Sequence, residues 1–425
     1  MPGAGGVVEL IAKGSAIVSD PSGEDGPLRV IVGLNRLWLA GAELNAIDLA
    51  TKFRERGHYL VIVGQEEDDR AMVELAEHRG FTVRMLPRGR ASSLIRPLES
   101  IVKEERIQLI HMYYSKLTIA ALLGPYRRWG TPVVTTEYGP GPVKTSFCSH
   151  LIVGTEECAE GMRPWFDAPV SVIEPPVDID HDRLDAVDAD AFLSCHDIED
   201  ADRPRVVVVS RLDPSVKLEG ILRTIDACAA LESLGVTLII VGGGDALSDV
   251  QRAADRVNNR LRRRAVVVTG SLYDPRPAYA AADIVVGMGG SALRGMAFEK
   301  PVVILGTNGF ALPLEPATAE YFFWYGFYGQ GPMYDLTTAL QRILSDPALG
   351  ATLGQFGRRT VESRYSLDLA YRRLERIYLA ALLDRPTSSD RWLNPSQSLA
   401  HYILAHYNLQ GLWGSRSTKT PIAYS

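Results

Sequence analysis

The sequence predicts an α/β chain of two doubly wound parallel sheets, and three observations carry that expectation. Short β-branched runs alternate with helix-length segments in two separate series, the pattern left by strand–helix–strand units that close a parallel sheet. An acidic stretch containing prolines, at 174 to 205, divides the series. The 425 residues also exceed what one hydrophobic core usually supports. The expected fold class is therefore α/β, with two Rossmann-like domains facing across a cleft. An extended phosphate ligand would there meet strand carboxyl ends and helix N-termini.

Taken in order, residues 1–27 are rich in Gly, Ser, Pro and acids and read as a flexible leader. The N-terminal domain, 28–180, carries LRVIV from 28, YLVIV from 59, FTVRML from 81, IQLIHM from 107, PVVTT from 132 and HLIVG from 150. Residues 181–203 read as a linker. The C-terminal domain, 204–378, carries VVVVS from 206, VTLIIVGGG from 236, AVVVTG from 265, DIVVGMGG from 283 and PVVILG from 301. Its last helical stretch, LDLAYRRLERIYLAALL, leads into a polar extension, 379–425, expected to pack back on the N-terminal domain.

Composition excludes several function classes. With 46% hydrophobic and 23% charged residues the chain is an ordinary globule, and a net charge of −6 disfavours a nucleic-acid partner while leaving room for a local basic pocket. Cys148, Cys158, Cys195 and Cys228 show no metal-site or disulfide-scaffold spacing, so a reducing cytoplasm is expected. Residues 7–18 are interrupted by Glu9 and Lys13, and no segment has the uninterrupted apolar length of a membrane span, so integral membrane association is not expected. No HExxH, acidic metal pair or Walker loop stands at a strand end, and Asp68 and Asp69 fall in a polar loop. No metal or other cofactor is expected.

The most informative stretch is VVVVSRLDPSVKLEGILRTIDA, where Arg211 and Lys217 follow a very apolar strand and precede a helix. Two fixed cations there can hold a diphosphate and stabilise it as a leaving group. A solvated turn with an Arg211–Asp213 ion pair is the alternative reading of the same residues. This stretch resembles the group 1 glycosyltransferases, glycosyltransferase family 4. The resemblance continues through LIIVGGGDALSDVQ, VVVTGSLYDPRPAYAAADIVV, GMAFEKPVV and GRRTVESRYSLDLAYRRLERIY, covering nearly all of 204–378. In the first domain AGAELNAIDLATKFRERGHYLVIV, TPVVTTEYG and APVSVIEPPVD carry it.

The resemblance implies a GT-B fold and a retaining, metal-independent glycosyltransferase. Its co-substrate would be a nucleoside-diphosphate sugar of UDP or GDP type and its other partner a small-molecule acceptor. Arg211 and Lys217 match the donor-phosphate pair. Gly41 and Ala42 match the opening loop that closes over phosphates or acceptor, with Ala40 at the first glycine. Gly287, Met288, Gly289, Gly290 and Ser291 form the turn whose amides would cradle the sugar or β-phosphate. Val286 and Arg294 stand where the family carries two glutamates, one for sugar hydroxyls and one for ribose. Arg294 would then reach a phosphate or an acidic ligand group, or pair with a surface acid. His111 and Tyr113 match a sugar-contacting histidine pair and are candidate catalytic residues, against the alternative of a hydrogen-bonded strand-end histidine. Glu137 would act on the acceptor or cap a turn. Gly270 and Leu272 would read the base edge with backbone groups.

Trp324, Tyr325 and Tyr328 belong to an aromatic segment that departs from the family pattern; such residues are more often core, and any that are exposed could stack on a ligand. These departures suggest a specialised acceptor, as in natural-product or modified-sugar biosynthesis. They leave open a catalytically silent binding or partner subunit, and an epimerase on the same fold, which would need further acid/base carboxylates. Oligomeric assembly also stays open.

Overall fold

The computed structural model describes residues 18–19, 25–37, 41–65, 70–138, 150–166, 168–198 and 203–406. Two compact units emerge. Of the described residues, the first comprises those up to 153, 158–172 and those from 373 on, and the second 154–157 and those within 173–372.

The first unit is built on a seven-stranded parallel sheet. After a short antiparallel pair, β1 (Val18–Ser19) with β2 (Asp25–Gly26), come β3 (Arg29–Arg36), β4 (Tyr59–Gln65), β5 (Thr82–Leu86), β6 (Leu109–Tyr113), β7 (Val133–Glu137), β8 (His150–Val153) and β9 (Val170–Val172). The order β5-β4-β3-β6-β7-β8-β9 means that the chain winds outward from β3, crosses back, and winds outward again from β6. The reversal between β3 and β6 opens a crevice at their carboxyl ends. Its inner strands are buried on both faces, which is why they read as continuous apolar runs rather than alternating ones. Among the covering helices are α1 (Gly41–Glu55), α2 (Ala71–His78), α3 (Ala91–Glu104) and α4 (Ser115–Ala121). In α3, Leu94, Leu98, Ile101 and Val102 recur at helical spacing and are the buried face.

The second unit holds a six-stranded sheet of β10 (Arg205–Val209), β11 (Thr237–Val241), β12 (Val266–Gly270), β13 (Ile284–Gly287), β14 (Val302–Leu305) and β15 (Ala311–Pro313). Its order is β12-β11-β10-β13-β14-β15, parallel except for β15, with the reversal between β10 and β13. Its helices include α5 (Leu218–Ala230), α6 (Leu247–Leu261), α7 (Arg276–Ala281), α8 (Gly290–Ala297), α9 (Ala319–Tyr325), α10 (Leu336–Leu344) and α11 (Pro347–Thr360). Asp335 and Asp346 cap α10 and α11 by accepting from the Thr338 and Leu349 amides.

Residues 181–198, read from the sequence as linker, fold into this unit. They contain a helix, Ala189–Cys195, capped by Asp188, whose Phe192 and Leu193 share a core with Ile239 and Tyr279. Two long helices end the described chain, α12 (Leu367–Leu383) and α13 (Asp390–His406). The division between units falls inside α12. In the first unit α13 is held by Asn394, which donates to the Tyr126 hydroxyl at 2.7 Å, and by Arg391, which donates to the Arg127 and Arg128 carbonyls. Among the described residues no helix is long and apolar enough to cross a membrane.

Candidate functional site

In the second unit the expected phosphate-binding residues gather at the reversal point. The chain leaves β10 at Val209, and Leu212, fully buried, anchors the turn through its amide on the Gly243 carbonyl at 2.8 Å. Asp213 folds the loop by accepting from the Ser215 and Val216 amides and the Ser215 hydroxyl. Arg211 is exposed and lies 3.4 Å from Asp213. Lys217 stands at the start of α5, half-buried. Its ammonium is pushed down to about 8, first by burial and then by Arg211, against the attraction of Asp213.

Across the reversal, β13 ends in the glycine turn. Ser291 donates to the Val209 carbonyl at 2.7 Å and accepts from the Tyr279 hydroxyl at 3.2 Å, so its side chain ties the two loops together. Gly289 adopts φ +58, and its amide donates to the Phe327 carbonyl at 2.6 Å. Met288 packs into the core, so only its backbone faces the turn, and Gly290 opens α8. A Cβ on Gly287 would meet the Ser291 hydroxyl at 2.7 Å. Val286 is a core residue. Arg294 donates through Nε to the buried Asp182 carboxylate at 2.9 Å, so of its expected partners an acid of the chain itself is present. Burial, opposed by Arg294, holds Asp182 above the usual carboxylate range.

At the ends of the neighbouring strands, Gly242, Gly244 and Gly270 have positive φ. A Cβ on Gly242 would stand 1.8 Å from the Ser210 carbonyl oxygen, so glycine is what lets the β10 and β11 loops touch. Gly270 accepts from the Gly242 amide at 2.9 Å, and Leu272 packs its side chain against the core, which leaves backbone groups for any base contact.

The first unit bears on two of the candidate residues. His111 is 1% exposed, with Nδ1 at 2.7 Å from the Tyr378 hydroxyl and Nε2 at 2.7 Å from Thr136 Oγ1. Burial pushes its imidazole down to about 3, so it is neutral, and both ring nitrogens are occupied. Tyr113 stacks on His111 at 4.7 Å and is equally sealed, its hydroxyl raised well above the ordinary value by burial. Both side chains are enclosed within the first unit, and His111 has the form of the hydrogen-bonded strand-end histidine given as the alternative. Gly41 and Ala42 open α1, with Ala40 outside the described residues, as are Asp68, Asp69 and Cys148. Glu137 ends β7, half-buried.

The family models match on both sides of this geometry. Residues 39–181 match the model described as Glycosyltransferase Family 4, and residues 203–322 match that described as Glycosyl transferases group 1. Together they span well over half of the chain. The chain belongs to the group 1 glycosyltransferases of glycosyltransferase family 4. No curated protein matches its sequence. Among solved structures, a glycosyltransferase from Rickettsia africae superimposes with a TM-score of 0.67 at 15% identity, over 84% of this chain and 99% of that one. HepE of Anabaena in complex with UDP gives 0.66 at 19% identity, over 83% and 100%. The same protein with UDP-glucose gives 0.64 at 20%, over 83% and 99%. At such identities the likeness is one of fold, and it makes this glycosyltransferase an α/β protein of GT-B type.

Several residues near the candidate positions were not singled out from sequence. Tyr114, at φ +69 after β6, is half-buried, and its hydroxyl is raised by burial, then by Glu43 and Glu137, which places the three together at the carboxyl edge of the first unit. Glu43, buried in the first turn of α1, sat in the quoted AGAE motif, and that motif was its signal. Tyr273, beside Leu272, is 93% exposed. Of the aromatic segment, Phe322 and Phe327 stack in the core at 5.6 Å, Tyr325 packs on Tyr321, Trp324 stays exposed, and the Tyr328 hydroxyl lies 3.0 Å from Thr307 Oγ1. Among the described residues no group of three or more His, Cys, Asp or Glu side chains is placed to hold a metal ion.

Proposed function

We propose that this glycosyltransferase moves a sugar from a nucleoside-diphosphate donor, held by the second unit, to a small-molecule acceptor at the first, with retention of anomeric configuration. The observation that carries the reading is the pairing of Arg211 and half-buried Lys217 on one loop, beside the start of α8 at the sheet reversal. Two cations at that edge meet the charge that grows on a departing diphosphate, and the partly desolvated ammonium is worth more there than in water. The amides of Met288, Gly290 and Ser291 would add neutral donors to a phosphate oxygen. The departing oxygen would take the acceptor proton, a route that needs no buried imidazole and agrees with the sealing of His111. The UDP and UDP-glucose complexes of HepE, on a similar fold, favour a uridine donor. Gly41, Ala42 and Glu137 would face the acceptor, and Gly270 and Leu272 the base.

The test is the thermal shift of the protein with UDP, GDP, ADP and dTDP, beside an Arg211→Ala, Lys217→Ala double variant. A ligand at 100 times its Kd stabilises the native state by about 2.7 kcal/mol. A base-selective shift that the double variant loses supports the reading. No shift with any diphosphate favours the catalytically silent subunit.

A further inference from the structure

The loops at the reversal point of the second unit close into a hydrogen-bonded ring. From β10, the Val209 carbonyl is held by Ser291. From the β13 turn, the Gly289 amide donates to the Phe327 carbonyl at 2.6 Å. The segment that follows joins the β14 loop, since the Thr307 amide donates to Gly329 at 3.0 Å and the Gly331 amide donates back to Thr307 at 3.0 Å. A Cβ on Gly306 would fall 1.8 Å from the Gly329 carbonyl oxygen, so these two segments touch backbone to backbone and leave no gap in the wall. Glu219 completes the circuit. Its carboxylate accepts from the Asn308 amide at 3.0 Å and the Gly309 amide at 2.7 Å, and it lies two residues beyond Lys217 on the same helix.

The two arcs of this ring differ in charge. Arg211 and Lys217 stand on one. The other carries the half-buried hydroxyls of Thr307 and Tyr328, 3.0 Å apart. The ring's carboxylates are engaged within the protein: both Glu219 oxygens take amides, and Asp213 takes the Ser215 and Val216 amides and pairs with Arg211. Val286 is in the core. Of the two hydroxyl protons on the neutral arc, one is used within the pair and the other is left for a ligand oxygen.

We propose that Thr307 and Tyr328 read the glycosyl group of the donor, and that this group is an uncharged sugar. The inference rests on the donor-site reading above, because the cationic arc must hold the diphosphate for the neutral arc to meet what is attached to it. An ammonium on the sugar would lie near Lys217 without a carboxylate partner, and a carboxylate would face the Tyr328 ring with one proton to share. Both leave a buried charge poorly paired.

The experiment is calorimetric titration of the full-length protein with UDP, GDP and dTDP, each beside UDP-glucose, GDP-mannose or dTDP-glucose, and with UDP-glucuronate and UDP-glucosamine. The proteins are the native chain, Thr307→Val, Thr307→Ser and Tyr328→Phe. Thr307→Val and Tyr328→Phe should weaken the neutral conjugate about tenfold while leaving the free diphosphate within about twofold, and Thr307→Ser should restore native binding. Parallel weakening of conjugate and diphosphate, no weakening of either, or failure of the serine variant to restore binding overturns the assignment. A charged conjugate that outbinds every neutral one overturns the uncharged-sugar part. If the native chain binds no diphosphate at all, the donor-site reading falls, which is a separate result from the others.

Discussion

His111 Nδ1 lies 2.7 Å from the hydroxyl of Tyr378, 267 residues further along the chain, and this contact fastens α12 to the central strand β6. Burial holds the imidazole neutral down to about 3, whereas an unfolded histidine titrates near 6.5. Between those values the unfolded chain binds a proton that the native chain does not. Stability therefore rises with pH through that window, is fully present above 6.5, and is lost on acidification. By pH 4.5 the loss assigned to this one group is about 2 to 3 kcal/mol. His150, lowered to about 4 by burial, adds in the same direction. The check is urea unfolding at pH 7.5 and 4.5 for the native chain and His111→Gln. The variant should start less stable and lose less on acidification; parallel losses would sink the argument.

The same contact shows where sequence reading stops. Strands β3, β6, β10 and β13 were legible because a parallel strand covered on both faces must be apolar along its length. The Arg211–Lys217 loop was legible because its cations follow such a strand directly. His111 was open to two readings, a ligand-facing residue, since a strand end is where ligands bind, and a hydrogen-bonded strand-end histidine. What decides its role are Tyr378 and Thr136, and pairings across 267 and 25 residues leave no local pattern. Asp182 likewise lay within the linker reading because nothing local ties it to Arg294, 112 residues away.

Arg294 and Asp182 supply a second expected outcome. The carboxylate is almost fully buried and the guanidinium partly so, so removing either partner takes a short charged contact from the other. Asp182→Ala and Arg294→Ala should each lower unfolding free energy by about 2 to 4 kcal/mol, and the double variant by less than the sum. A double-mutant cycle from denaturant unfolding measures the coupling. Strict additivity would mean that the pair contributes nothing as a pair.

Gly242→Ala tests the close approach of the β10 and β11 loops. The added methyl would meet the Ser210 carbonyl oxygen, and φ of +150 is one that an alanine avoids. Neither a rotamer nor a side-chain shift relieves a clash with backbone. The loop bearing Arg211 has to move, at a cost of about 2 kcal/mol or more. The expected result is a lower melting temperature together with weakened diphosphate binding. A variant that melts and binds as the native chain does would show that the loops are not in contact.

If Lys217 holds the donor as proposed, the site is pH-dependent in the opposite sense from His111. With its ammonium near 8, the side chain is about nine-tenths charged at pH 7 and about one-tenth charged at pH 9. In the proposed site a diphosphate would bind the charged form, so its affinity should fall as pH rises through 8. The fall approaches tenfold over those two units if the bound anion raises the ammonium well above 9, and is smaller the less the anion raises it. A guanidinium does not titrate in this range, so an arginine cannot produce the slope. Replacing Lys217 by arginine should therefore flatten the profile between pH 7 and 9 while preserving most of the affinity at pH 9. Isothermal titration with the diphosphate that gives the largest thermal shift, at three pH values on both proteins, checks it. A native profile that is flat, or a slope that survives Lys217→Arg, would remove Lys217 from the phosphate site and leave Arg211 to hold the donor alone.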